Sequence, residues 1–203
     1  MEPRSDVFKT VEKASDEILF KEKKSKFYGS VFPINTEDEV KEIIEELRKK
    51  HSSAGHVCYA WQIGIKETRY RANDDGEPNN SAGMPIYGQI QSFEVTNVLV
   101  AVARIFGGTK LGVGGLISAY KTAAQMALES SKIIEKTLQT QFELTFAYDK
   151  MDIVMRTIKQ KQLEILSQEM SLDCKTRISV RQSDASATLQ IFEGLHQVKI
   201  REI

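Results

Sequence analysis

Three carboxylates stand within four residues at Asp74, Asp75 and Glu77, around Gly76 and just ahead of Pro78. Oxygen ligands at that density suit a hard cation, and two carboxyls in unlike surroundings can divide the work of acid and base. The same D-D-G-E-P string also reads as a tight turn, with glycine supplying a positive φ and proline ending the register. The calcium-loop pattern of EF-hands is absent. Farther along, Gly107, Gly108, Gly112, Gly114 and Gly115 crowd into nine residues around Lys110, and Arg104 precedes them in R-I-F-G-G.

Such a glycine string after an apolar run and before a helical pattern is the setting of an anion cradle. Backbone N–H groups at the helix start face the anion, and Lys110 adds a point charge. The spacing matches neither the P-loop nor G-x-G-x-x-G, so neither familiar nucleotide site is supported. A purely structural crossover, in which glycine lets strand and helix pack closely, fits the same string equally well. His56 and Cys58 lie two apart on an alternating segment, which puts both on one face. That pairing could serve a nucleophilic thiol with its base, but no oxyanion hole or orienting partner is marked, and a packed or capping histidine beside a buried cysteine is the favoured reading. Aromatics stand beside cations at Phe27, Tyr28, Tyr70 and Phe106. They can stack bases or simply fill a core.

The elements that must hold these residues read as mixed α and β. Residues 25–34 alternate, with Phe27, Gly29 and Val31 on one face and Tyr28, Ser30 and Phe32 on the other. Thr36 and Glu39 form a capping-box pair ahead of Val40, Ile43, Ile44 and Leu47, an apolar helical stripe. Residues 56–65 alternate as a strand and 68–72 pair back on it. A helix is expected over 81–93, weakened by Pro85, Gly83 and Gly88. Residues 95–106 are β-branched without alternation, so they predict a strand covered on both faces. A helix over 116–131 follows, with Leu116, Tyr120, Ala123, Ala124, Ala127 and Leu128 inward. After residue 137 the pattern is strand 141–148, helix 150–160 capped by Asp149, strands 163–170 and 173–181, helix 183–192 and strand 195–201. This β-α-β-β-α-β order is the ferredoxin-like pattern.

Lysine plus arginine equals aspartate plus glutamate at 28 each in 203 residues, and each half of the chain is also balanced. A dedicated duplex binder shows a basic excess, so any nucleic-acid role rests on a local patch. Lys21, Lys23, Lys24 and Lys26 form one such patch, or else they guard a strand edge. No apolar run approaches the ~18 residues of a membrane span, and the first residues lack a secretory h-region. The expectation is a soluble, cytoplasmic chain with no membrane partner. Cys58 and Cys174 are far apart, so two reduced thiols are expected rather than a disulfide or zinc site.

Several strings recur together: His56-x-Cys58-x-Ala60, Asp74 to Pro78, Ala82-Gly83, Arg104 to Gly108, Lys110 to Leu116, and Ala119-Tyr120. Over residues 17–136, and most densely over 56–120, the chain resembles the IMPACT/YigZ family, shared by bacterial proteins and a eukaryotic translation regulator. The resemblance implies an α+β protein of two domains. Residues 1–137 would be ribosomal protein S5 domain 2-like, as in domain IV of elongation factor G. Residues 138–203 would be ferredoxin-like, as in domain V of that factor. It implies RNA, the ribosome or a translation-associated protein as partner, and no cofactor, metal or established catalysis. His56 and Tyr120 enter as secondary site candidates through the family strings. Four positions depart from the usual pattern: Asn73 for Ser, Asn79-Asn80-Ser81 for Ser-Gly-Thr, Ile105 for Tyr, and Ser118 for a basic residue. The last two remove an aromatic and a cation from the groove.

The leading expectation is a non-catalytic binder that uses Arg104, Lys110 and the glycine backbone. The alternative is an enzyme on a phosphorylated or nucleotide substrate, with metal on the acidic turn and phosphate on the glycine loop. It requires Asp74, Asp75 or Glu77 to converge on Lys110.

Overall fold

The structure, a computed structural model, describes residues 6–171 and 173–203. They form two compact units: Phe8–Lys136, and a second made of Asp6, Val7 and Thr137–Ile203. The elements are β1 (Val7–Val11), β2 (Ile18–Glu22), β3 (Ser25–Pro33), α1 (Glu37–Lys50), β4 (His56–Ile63), β5 (Arg69–Asn73), α2 (Gly83–Ser92), β6 (Val98–Ile105), α3 (Gly112–Glu129) and β7 (Ile133–Thr137), followed by β8 (Gln139–Ala147), α4 (Met151–Gln160), β9 (Glu164–Glu169), β10 (Asp173–Arg181), α5 (Ala185–Glu193) and β11 (Val198–Glu202). The fold is α+β, with a separate sheet-and-helix region in each unit.

The first unit is built on an antiparallel sheet of order β2-β3-β6-β4-β5. The central strand β6 explains its own sequence. Val98, Val100 and Val102 enter the core beneath α2 and α3, while Leu99, Ala101 and Ala103 enter the one beneath α1. A strand buried on both faces has no reason to alternate. Its neighbour β4 divides likewise, with Cys58 and Ala60 on the α3 side and Val57, Trp61 and Ile63 on the α1 side. The helix α1 carries the expected box: the Thr36 N–H donates to Glu39 Oε1 at 3.0 Å. The alanine face of α3 lies hard against β3, where a Cβ on Gly29 would sit 2.9 Å from the Ala123 carbonyl oxygen.

Three strands were not foreseen. β1, β2 and β7 are short and mostly only partly buried, so burial leaves little pattern in them. β1 and β7 pair with each other as a ribbon. Helix α3 begins at Gly112 rather than at 116. Glycine's low helix propensity argues against an early start, yet the first turn tolerates it there. Asp149 lies inside a 3-10 turn, Tyr148–Lys150, and does not cap α4. Among the described residues no helix is long and apolar enough to cross a membrane.

The second unit runs β8-α4-β9-β10-α5-β11, with antiparallel sheet order β11-β8-β10-β9. Phe142, Leu144, Phe146, Ile178 and Val180 project from β8 and β10 into a core with Val154, Ile158 and Phe192 of α4 and α5. On the opposite face Glu143 is only 4% exposed. It sits directly across from Arg177 on one side and Arg201 on the other. Its carboxylate accepts from Arg201 Nη2 at 2.6 Å and Arg177 Nε at 3.2 Å. The bonds from Arg201 and then Arg177 hold its carboxyl below the usual glutamate range. A carboxyl depressed by folding stabilises fully above its unfolded pKa, about 4.3, and that stabilisation is lost as pH falls through the lower folded value. Acid titration of Glu143→Gln, followed by circular dichroism, should therefore show a flatter loss of stability below about pH 4 than the parent chain. Identical acid limbs would remove this account.

Candidate functional site

The acidic turn is wired inward. Asp74 Oδ1 accepts the N–H groups of Ala82 and Gly83 at 2.9 and 2.8 Å, and Oδ2 accepts that of Asn80 at 2.9 Å. Asp74 thus does for α2 what an N-cap side chain does, since the actual N-cap Ala82 has no such group. Asp75 holds a left-handed φ of 46°. Its N–H donates to Asn73 Oδ1 at 2.8 Å, a local Asx bond that favours such a turn residue. Asp75 Oδ2 accepts the Val57 N–H at 2.6 Å and Oδ1 pairs with Arg48 Nη2 at 2.5 Å. These bonds tie the turn to β4 and to the end of α1.

The β4 residues meet the turn's backbone. His56 Nδ1 lies 2.7 Å from the Asp75 carbonyl oxygen. A carbonyl only accepts, so Nδ1 carries a proton and Nε2 is the nitrogen left for other partners. The Cys58 thiol donates to the Asp74 carbonyl at 3.0 Å. Burial pushes this thiol far above its ordinary range. It is therefore no thiolate nucleophile at neutral pH, and the packed-residue reading of the His56/Cys58 pair accounts for both.

Glu77 is the turn's innermost residue. Its Oε1 accepts from Arg104 Nη1 at 2.6 Å and from the Tyr120 hydroxyl at 2.8 Å. Both charged side chains are more than nine-tenths buried. The Arg104 guanidinium lies 5.6 Å from the ring centres of both Phe27 and Phe106, and Phe27 meets Tyr120 edge-on at 5.2 Å. Burial also drives the Tyr120 hydroxyl far above its ordinary range, so it serves as a donor and not as an acid. One atom in this cluster is left over: the buried Arg104 Nε has no hydrogen-bond partner among the described residues.

Beside the cluster lies a cavity of about 400 Å³, lined by Gly55, His56, Glu77, Pro78, Arg104 and Phe106, and by Lys110 to Val113 with Leu116. It is the mouth between the β6 end, the acidic turn and the first turn of α3. Of the residues expected to form a site, His56, Glu77, Arg104, Lys110 and Gly112 come together here. Asp74, Asp75 and Tyr120 do not line it; they hold its walls. The glycines divide by role. Gly107 lies where a Cβ would fall 2.0 Å from the Lys24 carbonyl carbon, and its N–H donates to Ser25 Oγ at 3.2 Å, so it seats the loop on the β2–β3 hairpin. Gly108 and Gly112 turn the chain with φ of 85° and 73°. Gly114 is exposed in the first turn of α3 and Gly115 packs on Leu111. Sequence reasoning left Leu111, Val113, Pro78 and Gly55 out of the site. Only their position beside the glycines hinted at it.

Of the three carboxylates, Glu77 alone shares the cavity with Lys110. Every acidic side chain of the turn is engaged by protein donors, and Glu77, which does reach the cavity, is neutralised by Arg104. Among the described residues no group of three or more His, Cys, Asp and Glu is placed to hold a metal ion. The turn reading of D-D-G-E-P therefore accounts for these residues.

A buried pair that loses one partner leaves an uncompensated charge, at a cost of about 3–5 kcal/mol. Glu77→Gln should lower unfolding free energy by that order, and Tyr120→Phe by about 1.5–3 kcal/mol for one bond to a charged acceptor. Urea denaturation measures both. Losses below about 0.5 kcal/mol for both variants, the range of an ordinary surface change, would show that the cluster bears no load.

The chain is similar to known proteins. The family described as Impact N-terminal domain matches residues 23–128. The IMPACT family member YvyE of Bacillus subtilis (strain 168) is 29% identical over 87% of this chain and 82% of its own length. An IMPACT family member of Haemophilus influenzae is 30% identical over 74% of this chain and 75% of its own. The crystal structure of a hypothetical protein, 23% identical, superposes with a TM-score of 0.72 over 97% of each chain, which shows that the fold extends through both units. The strings around the cleft and the matched stretch coincide, and on that ground this chain belongs to the IMPACT family.

Proposed function

We propose that this chain is a non-catalytic binding protein of the translation apparatus, acting in the cytoplasm, and that the cleft at the start of α3 receives its partner. The observation that carries this reading is the kind of polar group the cleft leaves over. Its carboxylate is neutralised, while Lys110 makes no ion pair and Arg104 Nε no hydrogen bond among the described residues, and the first N–H groups of a helix such as α3 lack intrahelical partners. Leftover donors and cations bind. No serine, threonine or cysteine hydroxyl or thiol lines the cavity, which disfavours covalent catalysis through those groups. Family membership and the resemblance to elongation-factor domains support the link to translation, as an argument from analogy.

In this reading the first unit, to about residue 137, is ribosomal protein S5 domain 2-like. The second is ferredoxin-like, in the manner of elongation factor G domain V. The β-α-β-β-α-β order and the β11-β8-β10-β9 sheet support the latter.

Lysate sedimented through a sucrose cushion tests the function. The chain should pellet with ribosomes at low salt and be released as salt rises, because ionic contacts are screened. Lys110→Glu should weaken pelleting at low salt. A chain that stays in the supernatant at every salt concentration would refute the proposal.

A further inference from the structure

We propose that the cleft and the adjoining lysine hairpin bind a single-stranded polynucleotide. One phosphate sits between the N-terminus of α3 and Arg104, and a neighbouring base stacks on Phe106. This rests on the reading of the cleft as the docking site and names the chemistry of what docks there.

Two independent features call for an anion at one place. The first N–H groups of a helix lack intrahelical partners, and in α3 they belong to exposed Gly112, Val113 and Gly114. The helix dipole adds about half a positive charge there. In the wall of the same cleft, Arg104 is only 6% exposed and its Nε–H is unpaired. A buried donor without an acceptor is unfavourable, and a small shift of the Arg104 side chain toward an incoming phosphate oxygen would supply one. Lys110, at the cleft edge, makes no ion pair among the described residues.

The surroundings favour a polymer with bases. Phe106 is 54% exposed although its ring lies over the Arg104 guanidinium. An aromatic face backed by a cation is a stacking platform for any base. Gly107 seats the loop against Lys24, so the tip of the hairpin adjoins Phe106. Lys23 and Lys24 occupy that tip with left-handed φ of 45° and 67°, where such turns favour Asn-Gly. Both are exposed and unpaired among the described residues. Lys21 and Lys26 face each other across the strands, a like-charge pairing that disfavours the hairpin. Strand alternation puts them on the sheet face away from α3, so they add to the field and not to the groove. In a chain of zero net charge this is a concentrated positive surface. An acidic polypeptide would use the lysines, but it gives Phe106 no base to stack.

Fluorescence anisotropy with the full chain and a labelled single-stranded RNA of about 12 nucleotides tests this, a length within the range of known single-strand sites. With Arg104 already neutralised by Glu77, the three unpaired cations Lys23, Lys24 and Lys110, neutralising about 0.7 charge each, predict a log–log salt slope near −2. Lys110→Ala should reduce the slope by about 0.7. Phe106→Ala should weaken binding about fivefold or more while Phe106→Tyr retains it. Both positions are exposed, and unchanged melting of the variants verifies that they fold. Salt-independent binding, indifference to Phe106→Ala, equal affinity for a duplex, or equal displacement by a polyglutamate peptide in parent and Phe106→Ala would each overturn the proposal. The outcomes separate from those of sedimentation. Nuclease-resistant ribosome pelleting without RNA binding removes this inference and leaves the function standing. RNA binding without pelleting does the reverse.

Discussion

The buried ion pair of Glu77 and Arg104 is the constraint around which the first unit is arranged. It joins three segments distant in sequence: the acidic turn, the end of the central strand and, through Tyr120, the middle of α3. Two charges removed from water are tolerable only when geometry and extra hydrogen bonds offset their desolvation. Tyr120 supplies one such bond, and the rings of Phe27 and Phe106 flank the guanidinium. Because Nη1 is committed to Glu77, the guanidinium is held in place, with its buried Nε unpaired among the described residues. The pair therefore serves packing and the site at once.

Around that pair, close approach of backbones is the second requirement. Gly83 and Gly107 stand where a side chain would collide with main-chain atoms of Asn73 and Lys24. Those contacts lock the acidic turn to α2 and the glycine loop to the hairpin. Gly29, beneath Ala123 and Ala127, lets α3 settle on the sheet and so fixes where its N-terminus points. The crossover and the proposed anion cradle, which the glycine string left as rival readings, would draw on different glycines of the same string. Gly107 serves the crossover, whereas Gly112 and Gly114 lie at the exposed helix start.

Much of this architecture was legible where burial is one-sided or complete. The apolar stripe of α1, the alternation of β4 and the unbroken β-branched run of β6 each encode their surroundings directly. β1, β2 and β7 were illegible because they are short, mostly only partly buried and held by pairing rather than by their own pattern. At the site, the turn and the loop could be named from residue types, but their wiring could not. Arg104 reads as a free cation on a strand end, and only the fold reveals that Glu77 claims it. Asp74 reads as a metal ligand or acid, yet it caps a helix that begins nine residues later. Phe106 was visible as an aromatic beside a cation, but its exposure depended on how the loop leaves β6.

A double-mutant cycle between positions 77 and 104, with Glu77→Gln and Arg104→Met measured singly and together by urea denaturation, tests the central claim most directly. Groups in one buried network couple by about 0.5–3 kcal/mol, and a fully desolvated pair with a shared tyrosine bond belongs at the upper end. The predicted result is a double variant more stable than the sum of the single losses allows, by about 2 kcal/mol or more. Strict additivity would mean that the two charges do not depend on each other, and the cleft would lose the interaction said to hold it open.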